Sequence, residues 1–166
     1  AQHFSRERRL PVTTLRFLSV YGPFEEPGRL VSDIMRAFVT RTVLRVGNPS
    51  SARDFVYVGD VVDALMVASR APTIEGEIFN VGGGREYSVR DVIRSVEEIA
   101  ARTVSVEWGD SSKSRLYEAK RWVADASKAE RVLGWKPAHS LKEGLSKTYS
   151  WFSQNINLYE KGAQHS

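Results

Sequence analysis

Two hydrophobic periods alternate along the chain and predict its elements. Residues 12–18 are β-branched and apolar, as a buried strand would be, while the first nine residues read as the end of a polar helix broken at Pro11. Tyr21-Gly22-Pro23 and Pro27-Gly28 mark a loop. Leu30, Val31, Ile34, Met35 and Phe38 then fall on one face of a helix over 29–40. Residues 43–46 form a short strand before the turn Gly47-Asn48-Pro49, and 54–58 form a second strand leading into a helix over 60–70, with Asp60 at its N-cap. A strand over 77–81 ends at Gly82-Gly83-Gly84. Ser88 and Asp91 spell a capping box for a helix that buries Val89, Val92, Ile93, Val96 and Ile99. A strand over 104–108 follows, and Ser127/Glu130 and Ser140/Glu143 repeat the helix-start signal. The last helix places Leu141, Leu145, Tyr149 and Phe152 on one side, and the polar tail after Tyr159 is expected to fray. Strands alternating with helices give an α/β fold.

Composition narrows the functional classes. With 166 residues and 42% hydrophobic content, the chain can build a real core. Its apolar runs are far shorter than the ~20 residues needed to cross a bilayer, so no membrane partner is expected. The absence of cysteine excludes disulfides and thiolate metal sites and fits a cytoplasmic protein. The net charge of +4 is not gathered into an aromatic-interleaved stripe, which argues against nucleic acid and suits a small anionic ligand. His3, His139 and His165 lack metal-ligand spacing and read as surface residues.

The segment Arg53-Asp54-Phe55-Val56-Tyr57-Val58-Gly59-Asp60 carries the first chemical signal. A guanidinium at the entrance to a strand can meet phosphate oxygens with its planar fork, although a surface Arg–Asp pair would leave the same pattern. Gly82-Gly83-Gly84 follows a strand and precedes a helix, as a dinucleotide-phosphate loop does. The spacing G-x-G-x-x-G is not met, however, because Tyr87 stands where the last glycine belongs, so a structural turn is expected.

The Arg53–Asp60 segment resembles the Arg-Asp-(aromatic)-x-x-Val-x-Asp motif of the extended short-chain dehydrogenase/reductases that act on nucleotide sugars, the epimerases and 4,6-dehydratases. Further matches follow in family order. Leu15-Arg16-Phe17-Leu18-Ser19-Val20-Tyr21-Gly22-Pro23 is similar to Leu-Arg-x-x-Asn-x-Tyr-Gly-Pro, Pro27-Gly28-Arg29-Leu30 to the dehydratases' loop, and Leu44-Arg45-Val46 to the strand that brackets the base. Arg115-Leu116-Tyr117-Glu118 followed by Trp122-Val123-Ala124-Asp125-Ala126-Ser127-Lys128-Ala129 resembles Arg-x-x-Asp and (aromatic)-x-Ala-Asp-x-Ser-Lys-Ala. Leu133-Gly134-Trp135-Lys136-Pro137 is also family-like and reads as packing.

The resemblance implies that Arg53 and Arg115 clamp the diphosphate and that Glu118 bonds the ribose. It further implies that the Arg29-Leu30, Leu44 and Val46 backbone faces the nucleotide, and that Leu18 touches the nicotinamide. Ser19 stands where the family has a substrate-binding Asn, and its hydroxyl is shorter and lacks the amide donor. Glu118 is one methylene longer than the usual Asp. The implied fold is the C-terminal part of a Rossmann-type doubly wound sheet, with late strands near 12–18 and 77–82. A small α/β substrate-binding domain accompanies it, with segments near 24–58 and 103–160.

No Tyr-x-x-x-Lys pair occurs in the sequence, and no Gly-rich loop of dinucleotide spacing. In the family these are the general base with its partner and the cofactor cradle, so no residue here is expected to be catalytic. The expectation is a C-terminal portion whose missing half, upstream of Ala1, holds the Tyr-x-x-x-Lys pair and most of the NAD (or NADP) site. The full-length parent is expected to be an enzyme and a homodimer that binds a nucleotide-diphosphate sugar. A non-catalytic nucleotide-sugar or partner-binding module is the competing reading.

Overall fold

The computed structural model of the chain describes residues 2–8, 11–72, 74–109 and 123–160. Its elements are, in order, α1 (Gln2–Arg8), β1 (Thr14–Phe17), β2 (Ser19–Tyr21), α2 (Leu30–Thr40), β3 (Leu44–Val46), β4 (Ala52–Tyr57) and α3 (Val58–Arg70). Then come β5 (Ile78–Val81), β6 (Glu86–Ser88), α4 (Val89–Ala100), β7 (Val106–Trp108), α5 (Ser127–Leu133), α6 (Leu141–Asn155) and α7 (Asn157–Glu160). Among the described residues, pairing is parallel for β1 with β5, β2 with β4 and β3 with β7, and antiparallel for β4 with β6. The chain is therefore α/β with parallel strands, as its alternating periods predict.

β4 is the seam between two hydrophobic clusters. Phe55 turns into one with Tyr21, Phe38, Leu44, Val92, Leu145 and Phe152, while Val56 turns into the other with Val61, Phe79, Val81, Leu133 and Trp135. This is the period-2 alternation of a strand buried on both faces. The faces of α2, α4 and α6 predicted from the 3.6-residue period all pack into the first cluster, with Tyr149 half-buried at its margin.

The helix starts are mixed in outcome. Ser88/Asp91 and Ser140/Glu143 both form reciprocal capping boxes. Ser127/Glu130 does not: Ala126 is the N-cap, and the Ser127 amide donates to Asp125 Oδ1 at 3.0 Å. Asp125, two residues upstream, captures that amide first. Asp60 is likewise not a cap, because α3 begins at Val58 and Asp60 lies buried in its first turn.

Boundaries depart from the sequence pattern at several points, and β4 begins at Ala52 rather than 54, so Arg53 lies inside the strand and not at its entrance. The strand over 12–18 ends at Phe17, and after Leu18 the chain moves to a second sheet as β2, pairing Ser19 with Phe55. Tyr21 is thus a buried strand residue rather than part of the loop. The antiparallel β6, only three residues long, offers no alternation to read.

Tyr21 also explains a glycine inside α6. Its hydroxyl donates to the Leu141 carbonyl at 3.2 Å, and burial, reinforced by Asp60, pushes its pKa far above the ordinary value, so it stays a neutral donor. A methyl group at Gly144 would overlap that hydroxyl and crowd the Tyr57 Cβ at 3.2 Å. Alanine gains about 1 kcal/mol of helix propensity over glycine, but overpacking a closed core costs about 1–3 kcal/mol. Gly144→Ala is therefore expected to lower thermal stability, and adding Tyr21→Phe should restore part of it in a double-mutant cycle of melts. An additive pair would contradict this account.

Candidate functional site

Asp54 follows the predicted phosphate ligand Arg53 on β4. It is fully buried and accepts three backbone N–H groups: Gly83 at 2.7 Å on Oδ1, Gly84 at 3.1 Å on Oδ2 and Ala124 at 2.9 Å on Oδ2. These bonds settle the role of the triglycine. The Gly83 and Gly84 amides are already occupied by a carboxylate, and the run is a structural turn. Gly84 has φ +76°, while a Cβ on Gly82 would lie 2.7 Å from Asp54 Oδ2 and 2.6 Å from the Ala124 Cβ. The sequence reading treated Asp54 as the arginine's neighbour and missed this function. The signal available to it was an acid one residue from a strand core and a glycine run with no phosphate spacing.

Around this anchor, the predicted residues fall into three groups. Leu18, half-buried, continues β1 by donating its amide to the Val81 carbonyl at 3.1 Å, and Ser19 opens β2 opposite Phe55. Arg53 is half-buried on β4 opposite Tyr87, and its Nη1 donates to the Ala52 carbonyl at 2.7 Å. Leu18 and Ser19 thus mark the passage from β1 to β2, and Arg53 lies on β4, the strand that pairs with β2.

Arg29 and Leu30 stand together at the start of α2. Arg29 is exposed and Leu30 half-buried against the first cluster. Leu44 and Val46 form the third group, on β3. Leu44 is a core residue at 2% exposure and Val46 packs against the same core, so only their main chain is available to a ligand. Part of that main chain is already used, since Leu44 donates to the Ser105 carbonyl and Gly109 donates to the Val46 carbonyl. Arg115 and Glu118 lie outside the described residues, but the Ala124–Asp54 bond ties the chain just beyond them to the strand that bears Arg53.

Glu25 is the titratable group of this region that deviates furthest into the neutral range. Arg29 provides no side-chain cap for α2, and Glu25 from the preceding loop takes its place, accepting the Ser32 amide at 3.0 Å. Burial raises its pKa from 4.5 to about 7, against the lowering effect of Arg29, whose Nε lies 3.7 Å away. Between those two values the folded chain holds a proton that the unfolded chain has released. Stability therefore falls as pH rises through this window. Melts from pH 5 to 8 should show the decline, and Glu25→Gln, which keeps an acceptor for Ser32, should remove about 1–2 kcal/mol of it. A variant with the wild-type slope would contradict the assignment.

His139 is a correction to the surface reading. Its Nδ1 lies 2.8 Å from Asp60 Oδ1 at 22% side-chain exposure, and its ring packs 5.0 Å from that of Tyr57. Asp60 also accepts the Ala138 and His139 amides, while its own carbonyl accepts Trp135 Nε1 at 3.0 Å. The cluster locks α3 to the segment preceding α6, and the Leu133–Pro137 motif is packing, with Trp135 buried. Among the described residues, no group of three His, Cys, Asp or Glu side chains could hold a metal ion, and no helix is long and apolar enough to cross a membrane.

Comparison with known proteins places this geometry in context. The family model described as GDP-mannose 4,6 dehydratase matches residues 1–148. Bacillus subtilis YtcB, named an uncharacterized UDP-glucose epimerase, is 31% identical over 91% of this chain and 46% of its own length. The dTDP-D-glucose 4,6-dehydratase of Mus musculus is 28% identical over 96% of this chain and 46% of its own. Among solved structures, UDP-glucuronic acid 4-epimerase from Bacillus cereus, in complex with UDP-glucuronic acid and NAD, matches with a TM-score of 0.83 at 28% identity. That match covers 93% of this chain and 49% of the epimerase. The chain thus spans about half the length of the relatives it matches.

Proposed function

The chain belongs to the GDP-mannose 4,6 dehydratase family, and on that premise we propose that it is the nucleotide-sugar-binding portion of an NAD-dependent nucleotide-sugar epimerase or 4,6-dehydratase. The observation that carries this reading is the Asp54 anchor. One buried carboxylate joins the strand of Arg53 to the turn after β5 and to Ala124. A guanidinium on a strand fastened in this way is a suitable receptor for a diphosphate, whose charges must be desolvated and paired to bind. In this reading Arg53 and Arg115 hold the phosphates, Glu118 the ribose hydroxyls, and Ser19 a neighbouring phosphate or sugar oxygen. The Arg29-Leu30 and Leu44–Val46 main chain lines the nucleotide. Asp54 is a positioning residue that touches no ligand.

NAD, when bound, supplies hydride transfer at the sugar ring. Gly82-Gly83-Gly84 does not offer it a phosphate cradle, because the Gly83 and Gly84 amides are committed to Asp54. Leu18 alone is assigned a place beside the nicotinamide. No Tyr-x-x-x-Lys pair exists in the sequence to remove a sugar hydroxyl proton, so the 166-residue chain by itself is expected not to turn over. The purified chain, given NAD and either UDP-glucose or dTDP-glucose, should yield neither the 4-epimer nor a 4-keto-6-deoxy product. Measurable turnover would overturn the division of labour proposed here.

A further inference from the structure

Where β3 and β7 end, the fold leaves a large aromatic ring uncovered. In their parallel register Leu44 faces Val106 and Val46 faces Trp108. Side chains at such positions share one side of the sheet, and here it is the core side, since Leu44 is buried and Val46 and Val106 pack on the first cluster. Trp108 follows the same face but lies past the rim of the core, 40% exposed. The opposite side carries only the outward ion pair of Arg45 with Glu107.

Three segments converge on that ring. Both strands end at glycines, Gly47 and Gly109, and a side chain at Gly47 would meet nothing within 4 Å. The turn after β3 is fastened to the start of α4, because Val89 donates to the Ser51 carbonyl and Arg90 to the Pro49 carbonyl. The Arg90 guanidinium lies 5.7 Å from the centre of the Trp108 ring, near enough for a cation–π contact that covers one face. One residue before α4's N-cap, Tyr87 stands opposite Arg53, with Arg85 5.1 Å above its ring. Two cation–aromatic pairs therefore flank the N-cap Ser88, Arg90 with Trp108 on one side and Arg85 with Tyr87, opposite Arg53, on the other.

We infer that Trp108 is the platform on which the nucleobase of the bound nucleotide stacks, with Arg90 backing the ring from the other side. The inference rests on reading Arg53 as a diphosphate ligand. The carboxyl ends of parallel strands are where ligands settle in α/β sheets, and a flat, half-exposed indole held by a guanidinium offers a stacking surface to any base. The anionic end of the same ligand then points along the turn of residues 47–51 toward Arg53.

The test is a calorimetric titration of the 166-residue chain with UDP, dTDP, GDP, CDP and inorganic pyrophosphate, repeated with Trp108→Leu and Trp108→Phe. For whichever nucleotide binds most tightly, Trp108→Leu is expected to lose about tenfold or more in affinity. Trp108→Phe should stay within about threefold, because a phenyl ring still stacks. Pyrophosphate, which has no base, should bind all three chains equally. Nucleotide should also quench tryptophan emission in the wild type and lose most of that quenching in Trp108→Phe. Unchanged nucleotide affinity in Trp108→Leu would overturn the inference while leaving the phosphate reading intact. A parallel loss of pyrophosphate would overturn it too, by showing a structural role. A wild-type chain that binds none of the five ligands would overturn the phosphate reading itself, and this inference with it.

Discussion

Asp54→Ala is expected to cost about 3–5 kcal/mol, because it removes the acceptor for three backbone amides at a fully buried position. For a chain of this size that loss corresponds to a melting temperature lower by roughly 10–15 °C. Asn is not a safe replacement. One of its two polar atoms is a donor and would face an N–H group that now meets a carboxylate oxygen. Both variants should therefore melt early, in contrast to substitutions at the exposed Arg45–Glu107 pair, which should change stability by no more than about 1 kcal/mol. An Asp54→Ala chain that melts within a few degrees of wild type would remove the anchor from the account.

Arg53→Ala should act on ligand rather than on fold. Losing one charge-assisted contact weakens a diphosphate by about 1.5–3 kcal/mol, and the loss should be similar for UDP, dTDP, GDP and CDP because the contact is to phosphate. Stability should change much less, since the side chain is only half-buried. Arg53→Lys is expected to recover only part of the affinity, as a point charge cannot reproduce a bidentate fork. Titration calorimetry on the three chains checks both statements. Affinity unchanged in Arg53→Ala would refute the phosphate role of this residue.

The sequence made some features readable and concealed others, for physical reasons that differ by residue. The faces of α2, α4 and α6 were legible because a 3.6-residue period repeated over three turns is hard to imitate by chance. Ser88 and Ser140 were legible because a capping box is closed within four residues. Ser127 carries the same letters and fails, since Asp125 takes its amide. Long-range partners were concealed. Nothing near Asp54 in sequence announces Gly83 or Ala124, and nothing near Asp60 announces His139. Glu25 as the substitute cap of α2 was hidden for the same reason. The proposed ligand residues came from motif order. The structure places Leu18 and Ser19 at the passage from β1 to β2 and Arg53 on β4, which pairs with β2, keeps Leu44 and Val46 on a separate strand pair, and leaves Arg115 and Glu118 outside the described residues.

The trap laid by Gly82-Gly83-Gly84 shows how the two kinds of reading combine. Spacing alone argued for a turn, and the bonds to Asp54 give the reason, because the run must pass so close to a carboxylate that any Cβ at Gly82 would strike it. That is a backbone requirement satisfied by glycine, not a site for phosphate.

The central claim is that this chain holds nucleotide sugars, and direct binding tests it best. In a calorimetric titration of the 166-residue chain with UDP-glucose, dTDP-glucose and GDP-mannose, at least one should bind saturably at one site per chain and be displaced by its own nucleoside diphosphate. A flat titration for all three sugars, from a chain whose melt shows it folded, would contradict the account.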